Sequence, residues 1–568
     1  MKWISKQSPE NKKIEQLSFE LGIDKTLSKL LVMRGIDDFE KAKKFFRPTL
    51  NDLHDPFLMK DMQKAVDRIL LAIQKEEAIL IYGDYDVDGT TAVSLVYSYL
   101  REFYPKVATY IPDRYEEGYG ISFQGIDFAS DNEITLIIAL DCGIKAIDKV
   151  LYAKEKGIDF IICDHHRPGE TIPAAAAVLD PKRTDCPYPY DELCGCGVGF
   201  KLIQALQFAR GLAQKALYEY LDLVAIAIAA DIVPVTGENR ILATYGLKMI
   251  NENPRPGIEA MLKSSTKSHY TITDLVFTLA PRINAAGRMK HGRYAVEILT
   301  ERNIDKAQKY AEVIEINNQD RRAVEQEIEK EALAQIIELQ EENQFSTVVY
   351  AEHWHKGVIG IVASRLIENY YRPTLVFTSS NGKLAASARS VSGFDVYNAL
   401  EECAEFIEQF GGHKYAAGLT LLPENYDHFK RKFEEVVKNS IPETSLEPQI
   451  LVDSEIDLTE ITPKFYRVLK QFGPFGPMNM KPVFLTTGLR DNGYGRKVGA
   501  DEKHLKVNVI GGGEGQTYGA IGFGLGHKYP VICSGKPFDA VFTIEENHFN
   551  GQVSLQLNLK DICAEDLS

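Results

Sequence analysis

The sequence predicts an α/β protein of several domains: a doubly wound, mainly parallel sheet, long connecting helices, a second α/β domain and a carboxyl-terminal β-barrel. Three observations carry this. The 568 residues exceed what one hydrophobic core organises, at roughly 100 to 200 residues per domain. From Ala78 onward, short apolar runs alternate with segments of helical periodicity, the pattern of β-α units around a parallel sheet. After about Pro442 the chain turns to short β-like segments with frequent glycine.

Residues 1–75 read as short helical pieces, one ending in Lys41-Ala-Lys-Lys-Phe-Phe-Arg-Pro48 and another over 62–73, with no visible chemistry. A first α/β domain over 76–292 takes strands at 78–82, 107–111, 136–140, 160–163 and 176–179, and helices at 91–103 and 145–156. In open sheets of this kind ligands bind beyond the carboxyl ends of the strands, so the residues that follow each strand are the candidates for function.

Residues 293–356 contain neither Gly nor Pro and repeat Ala, Ile, Leu and Val at helical spacing, which predicts long connecting helices over 293–345. A second α/β domain over 346–442 has strands near 346–350 and 374–378, a helix over 359–370 and a Gly-rich turn, Gly411-Gly-His-Lys-Tyr-Ala-Ala-Gly418. The region 443–568 offers strands at 483–487, 505–510, 517–523 and 553–559, read as a small barrel, with Gly511-Gly-Gly and Gly522-Phe-Gly-Leu-Gly526 as bends.

With 45% hydrophobic and 26% charged residues, the composition is globular and excludes a disordered or fibrous chain. No apolar stretch approaches the roughly 20 residues that span a bilayer. The opening residues lack an apolar signal segment, so the expected location is the cytoplasm. Eight dispersed cysteines are expected to be reduced, and the local group Cys186, Cys194 and Cys196 lacks a zinc-type pairing and is read as packing. The net charge of −15 repels polyanions as a whole, so any nucleic-acid binding must be local.

The first strand of the first α/β domain runs into Tyr82-Gly-Asp-Tyr-Asp-Val-Asp-Gly-Thr90, which crowds Asp84, Asp86 and Asp88 at the mouth of the sheet. Carboxylates so close repel one another unless cations neutralise them, so a divalent metal site is the economical explanation. Two further strand ends add Asp141, in Leu140-Asp-Cys-Gly143, and Asp164, His165 and His166, in Cys163-Asp-His-His166. Asp231, in Ala230-Asp-Ile-Val-Pro234, follows an apolar helical run; alone it reads as a solvated helix end, but beside three strand ends with ligand-type residues it joins the set. Mixed carboxylate and imidazole ligands suit Mn²⁺ or Mg²⁺, with zinc also compatible, and a pair of ions bridged by a carboxylate activates water for attack on phosphorus.

Two rival readings compete for the first motif. Asp84-x-Asp-x-Asp-Gly89 imitates the start of a calcium-binding EF-hand loop, but position twelve is Leu95 where a bidentate Glu is required. Asp86-x-Asp-Gly-Thr90 also resembles the nucleophile loop of haloacid-dehalogenase phosphatases, which leaves Asp164-His-His unexplained.

In their order, Asp84-Tyr-Asp-Val-Asp-Gly, Leu140-Asp-Cys-Gly, Asp164-His-His and Ala230-Asp-Ile-Val-Pro resemble the four motifs of the DHH phosphoesterase superfamily. Gly411-Gly-His-Lys-Tyr-Ala-Ala-Gly resembles the signature of its associated DHHA1 domain, and Arg282-Ile-Asn-Ala-Ala-Gly-Arg288-Met that of its single-stranded-DNA-specific 5′ exonucleases. By this resemblance Asp86, Asp88, Asp141, His165 and Asp231 bind two metal ions, with Asp141 as bridge, and Asp84 is a ligand or a supporting acceptor. His166 lies beside the scissile phosphate, Asp164 orients a histidine, and Arg114, Arg288, Ser387, Arg389 and His413 hold the terminal or scissile phosphate. Arginine forks and hydroxyls suit phosphate oxygens.

Between Lys464 and Lys506 nine basic residues face three acidic ones, with Phe465, Tyr466, Phe472, Phe475, Phe484 and Tyr494 interleaved. Basic groups for the backbone and aromatics for stacking suit single-strand binding on an OB-type barrel, against a plainer reading in which the aromatics are core. The resemblance implies a metal-dependent exonuclease that degrades single-stranded DNA from its 5′ end to mononucleotides, in recombination and repair, with a helicase and a single-strand-binding protein as partners. Alternatives are a phosphodiesterase for short oligonucleotides or cyclic dinucleotides, and a non-catalytic scaffold.

Overall fold

Five apolar strands, Val107–Tyr110, Ala78–Gly83, Ile134–Leu140, Asp159–Cys163 and Ala177–Leu179, lie side by side in that order, all parallel. The computed structural model in which they appear describes residues 1–511, 516–549 and 551–564. Helices cover both faces of such a sheet, so the central strands are apolar throughout, and Ile79 to Tyr82 and Leu136 to Leu140 are fully buried. Leu80, Tyr82, Ile137, Ala139, Phe160 and Ile162 share one core with residues of helices Phe123–Asp131 and Ile147–Glu155. The other face takes helices Val87–Arg101 and Gly195–Ala209. Each large aliphatic side chain buried this way contributes about 1.5–3 kcal/mol before entropy is counted.

The winding reverses between Ala78–Gly83 and Ile134–Leu140, because the chain first adds Val107–Tyr110 on one side and then crosses to the other. A crevice opens at such a reversal, and the two strand ends that border it lead into Asp84 and Asp141. The helix expected at 91–103 begins earlier, at Val87, because Asp86 caps it through a hydrogen bond from the Gly89 amide. The metal-type carboxylate Asp88 therefore sits in the first helical turn rather than in a loop.

Helices Arg293–Thr300 and Ile304–Glu338 follow, the second 35 residues long. The second α/β domain is a mixed sheet in the order Gln409–His413, Ala416–Leu421, Lys383–Arg389, Thr374–Ser380 and Thr347–Tyr350, in which only the last two pair in parallel. The stretch Gly411 to Gly418 is a whole hairpin, turning at Lys414 and Tyr415, with Gly411 opposite Gly418. Glycine here also marks close approach: a Cβ on Gly412, at φ 142°, would lie 2.4 Å from the Ala416 carbonyl oxygen.

The chain divides into two compact units, Asp52–Pro448 and a second one made of Met1–Asn51 with Gln449–Ser568. In the second, strand Lys2–Ser5 pairs in parallel with Gln449–Val452, and Leu17, Leu27, Leu30 and Leu31 share a core with Phe465, Phe472 and Phe484. Strands Phe484–Asp491, His504–Gly511, Gln516–Gly522, Phe538–Phe549 and Gln552–Ala564 form a ring closed by pairing of the first with both the second and the fourth. That is an OB-type five-stranded barrel. Its longest hairpin includes Phe538–Phe549, which alternation alone did not reveal because Phe538 to Ile544 is buried on both sides while the polar Glu545-Glu546-Asn547-His548 extends the strand. The bend at Gly522 to Gly526 is present, with Gly524 left-handed at φ 75°, whereas Gly512 and Gly513 lie outside the described residues. Among the described residues no helix is long and apolar enough to cross a membrane.

Candidate active site and metal centre

The strand ends build the site. Gly89 packs so closely on the backbone of Asp84 that a Cβ there would lie 2.4 Å from its carbonyl oxygen, and this folds the acidic loop over the mouth of the sheet. Asp88 receives hydrogen bonds of 2.7 Å from both the Gly195 and Cys196 amides, at the amino end of helix Gly195–Ala209. A carboxylate gains up to about 2 kcal/mol from such a helix end. Asp141 adopts a left-handed conformation, φ 59°, and donates its amide to the Cys163 carbonyl at 2.9 Å. Its carboxylate lies where a Cβ on Gly195 would be, 2.6 Å from Oδ1, so only glycine leaves room for it.

His165 is the hub. It is 5% exposed, and its Nε2 stands 3.2 Å from Asp141 Oδ1, 3.5 Å from Asp231 Oδ2 and 3.8 Å from Asp88 Oδ2. Neither ring nitrogen makes a hydrogen bond among the described residues, and Asp141 Oδ1 is equally unsatisfied. Buried polar atoms rarely stay unpaired, so this donor set fits cations. Two groups have ligand atoms all within 4.8 Å of one another, Asp141 with His165 and His166, and Asp88 with His165 and Asp231. Asp231 caps helix Leu221–Ala230, the position of a plain helix end, yet its carboxylate turns to His165.

Electrostatics point the same way. Burial, reinforced by the neighbouring Asp86, pushes the carboxyls of Asp84 to about 8 and Asp88 to about 7. Burial with Asp88 and Asp86 pushes Asp231 to about 8, and Asp141 is also raised well above the usual range by burial and its acidic neighbours. Without cations the cluster holds protons instead. Asp84 accepts the Gly120 amide at 3.2 Å through Oδ1, while its Oδ2 is unpartnered among the described residues.

Asp164 behaves differently. Burial alone would raise it, but the hydrogen bond from His166 and backbone amides hold it down at about 2. Its Oδ1 accepts His166 Nδ1 at 2.7 Å and the His165 and His166 amides, while Oδ2 accepts the Ile144 amide. The two histidines diverge accordingly. Burial, with His166 alongside, lowers His165 to about 3, the neutral ligand form; for His166 the Asp164 hydrogen bond overcomes burial and raises it to about 9.

The three arginines expected at a phosphate, Arg114, Arg288 and Arg389, converge. Arg288, on helix Ala280–Met289, donates Nη1 to the Gly357 carbonyl at 2.7 Å, and its buried Nε has no partner among the described residues. Burial and the charges of Arg114, Arg321 and Arg389 lower it to about 9, a sign of unneutralised positive charge. Arg389 donates to Ser387 Oγ at 3.0 Å, and both lie against Gly360, where a Cβ would come within 2.8 Å. Arg114 lies over the Tyr85 ring, 4.7 Å from its centroid. His413 is exposed at the end of its strand. A cavity of about 540 Å³ is lined by Ala230, Phe277, Arg288, Arg321 and Arg365 among others, running from the residue before Asp231 to the arginines.

Sequence reasoning missed Tyr119, Gly195 and Arg321. Tyr119 lies in the loop between strand Val107–Tyr110 and helix Phe123–Asp131, and its flanking glycines, Gly118-Tyr-Gly120, were the available signal. It also misassigned the barrel aromatics. Phe465, Phe472 and Phe484 are fully buried, and Tyr466 and Phe475 pack on the same core, because closing a small barrel consumes its large apolar side chains. Tyr494 is exposed at 39%, with the Arg496 guanidinium 4.7 Å from its ring, and Phe523 at 62%, edge-on to His504.

Comparison with known proteins gives matches to three family models: the DHH family amino-terminal domain over residues 78–228, the DHHA1 domain over 343–439 and the RecJ OB domain over 452–561. The chain is 36% identical to the single-stranded-DNA-specific exonuclease RecJ of Bacillus subtilis, over 100% of this chain and 71% of that protein. It is 33% identical to the one from Escherichia coli, over 88% and 90%. A crystal structure of exonuclease RecJ bound to manganese is similar at a TM-score of 0.60 and 29% identity, covering 70% of this chain and 99% of that one. RecJ of Thermus thermophilus, in complex with Mn²⁺, shares the fold at a TM-score of 0.84 and 24% identity, over 99% and 79%.

Proposed function

The chain belongs to the RecJ family of single-stranded-DNA-specific exonucleases and is a metal-dependent enzyme of that kind; from this premise we propose that it removes mononucleotides from a 5′ end, 5′ to 3′. The observation that carries the reading is His165, a buried imidazole without a hydrogen bond among the described residues, ringed by Asp88, Asp141 and Asp231 within 4 Å.

Asp86, Asp88, Asp141, His165 and Asp231 would hold two Mn²⁺ or Mg²⁺ ions, with Asp141 between them; the manganese in the similar RecJ structure supports this. Bound there, such ions would lower the pKa of water and offset charge on the phosphate. Asp84 ties the Gly120 amide to the site, a supporting role. His166, held by Asp164, would lie beside the phosphate, where it would offset developing negative charge. Arg114, Arg288, Ser387 and Arg389 would grip the terminal phosphate, with His413 as an outer contact, and so fix the polarity.

The OB-type barrel would hold the strand further along, which favours long DNA over cyclic dinucleotides as substrate. Work in recombination and repair, in the cytoplasm, beside a helicase that unwinds and a protein that coats single strands, accompanies this reading. The test is digestion of single-stranded DNA labelled separately at each end, in Mn²⁺, Mg²⁺ and chelator, with wild type beside Asp141→Ala. Early mononucleotide release from the 5′ label, dependent on metal and on Asp141, is expected; release from the 3′ label first would overturn the polarity.

A further inference from the structure

The loop between strand Val107–Tyr110 and helix Phe123–Asp131 is framed with unusual completeness. Glu117 accepts hydrogen bonds from the Asp113 amide at 2.7 Å, from Tyr110 Oη at 2.9 Å and from Ser122 Oγ at 2.5 Å. Buried Tyr82, in the strand that leads to the acidic motif, donates its hydroxyl to the Gly120 carbonyl at 2.9 Å, while the Gly120 amide donates to Asp84. Gly118 and Gly120 both take positive φ, 85° and 81°, conformations that glycine adopts without strain. The residue between them is Tyr119.

This frame delivers one side chain to the catalytic centre. The Tyr119 ring stands edge-on to both Tyr85 and His166, with centroids 6.2 and 6.1 Å away. Its hydroxyl lies 3.2 Å from His166 Nε2 and 3.5 Å from the Asp141 carbonyl oxygen. The contacts fit one polarity: the hydroxyl donates to that carbonyl, and its oxygen accepts from Nε2–H. With Nδ1 committed to Asp164, the Tyr119 contact engages the second ring nitrogen, so both ends of the imidazole are held. Tyr119 is nonetheless 55% exposed, so its place is set by these partners and not by burial.

We propose that Tyr119 is a positioning residue for His166: gripped by Asp164 at one nitrogen and met by the Tyr119 hydroxyl at the other, the ring is fixed in the plane that addresses the phosphate. The inference rests on the reaction assigned above. Asp164 alone leaves the ring free to rock about the Nδ1 contact, and a second hydrogen bond on the far nitrogen removes that freedom. Preorganisation of this kind acts on the chemical step more than on the binding of a long strand.

The experiment is a double-mutant cycle on the full-length enzyme with Tyr119→Phe, His166→Ala and both together, read as kcat and KM on 5′-phosphorylated single-stranded DNA in Mn²⁺. Phenylalanine keeps the ring contacts and removes only the hydroxyl. The expected kcat falls roughly three- to tenfold, the worth of one hydrogen bond, with KM within about twofold. In the His166→Ala background the same change has no further effect. An unchanged kcat in Tyr119→Phe, or equal losses in both backgrounds, overturns the proposal. Histidine ring NMR of selectively labelled protein gives a readout independent of turnover, with the His166 signal assigned by its absence in His166→Ala. That signal is expected to shift in Tyr119→Phe, and if it does not the contact is refuted whatever the activity. A wild type that degrades no DNA while the His166 signal still shifts would refute the assigned reaction and leave the contact standing.

Discussion

Gly195 and Asp141 are locked together by absence: the space a Cβ on Gly195 would fill, 2.6 Å from Asp141 Oδ1, is occupied by that carboxylate. Both belong to the same knot, because the Gly195 amide also donates to Asp88. Gly195→Ala should therefore displace Asp141 and loosen Asp88 at once. We expect activity to fall by at least a hundredfold and Mn²⁺ affinity, measured by titration calorimetry, to drop, with stability lowered by about 1–3 kcal/mol.

The raised carboxyls set the pH dependence of the metal-free protein. Asp84, Asp88 and Asp231, at about 8, 7 and 8 in the folded chain, bind protons more tightly folded than unfolded. Their stabilising contribution is complete below the unfolded value near 4 and is lost as the pH rises through 7 to 8. In chelator, Tm should fall between pH 5.5 and 8. Mn²⁺ or Mg²⁺ should raise it, and more at pH 8 than at pH 6, because ligands must shed protons to bind. A metal-induced shift of equal size at both values would contradict this account.

Arg389→Ala and Arg288→Ala probe recognition of the end. If these side chains grip a terminal phosphate, their loss should cost roughly ten- to a hundredfold on 5′-phosphorylated DNA, the range of a charge-assisted hydrogen bond. DNA with a 5′ hydroxyl should be affected far less. The ratio of kcat/KM for the two substrates is the measurement.

In the barrel, exposed and buried aromatics should separate cleanly. Tyr494→Ala and Phe523→Ala should weaken binding of long single strands by about 1–3 kcal/mol per stacked base and leave Tm nearly unchanged. Phe472→Ala, in the core, should instead destabilise by about 3–5 kcal/mol. Fluorescence anisotropy with labelled oligonucleotides, alongside thermal melts, distinguishes the two.

What was legible in the sequence follows a physical rule. Asp84, Asp88, Asp141 and Asp164 sit directly after apolar strands or inside the turn that follows, so period and position exposed them together, and the parallel sheet came with them. Asp231 needed the company of the others to be read as more than a helix end. The local pattern failed where a residue's meaning is tertiary. Gly412 looks like a turn but marks two strands packed closely. Phe465 and Phe472 look like a stacking surface because basic neighbours flank them, while the fold spends them on its core. Tyr119 is distant in sequence from His166, and only the glycines beside it hinted at a constrained backbone.

The union of Met1–Asn51 with Gln449–Ser568 has a consequence for how the protein is born. On the ribosome the first helices emerge long before the barrel that completes their core, with 397 residues of the other unit, 52–448, made in between. At about 5–20 residues per second, Leu17, Leu27 and Leu30 wait on the order of tens of seconds without their partners. The unit over 52–448 is complete first, and the amino-terminal leucines lack their core partners until Phe465 and Phe472 arrive. A truncation or bulky tag at either terminus thus falls on the same folding unit, and removing the barrel alone strands the leucines at the opposite end of the chain.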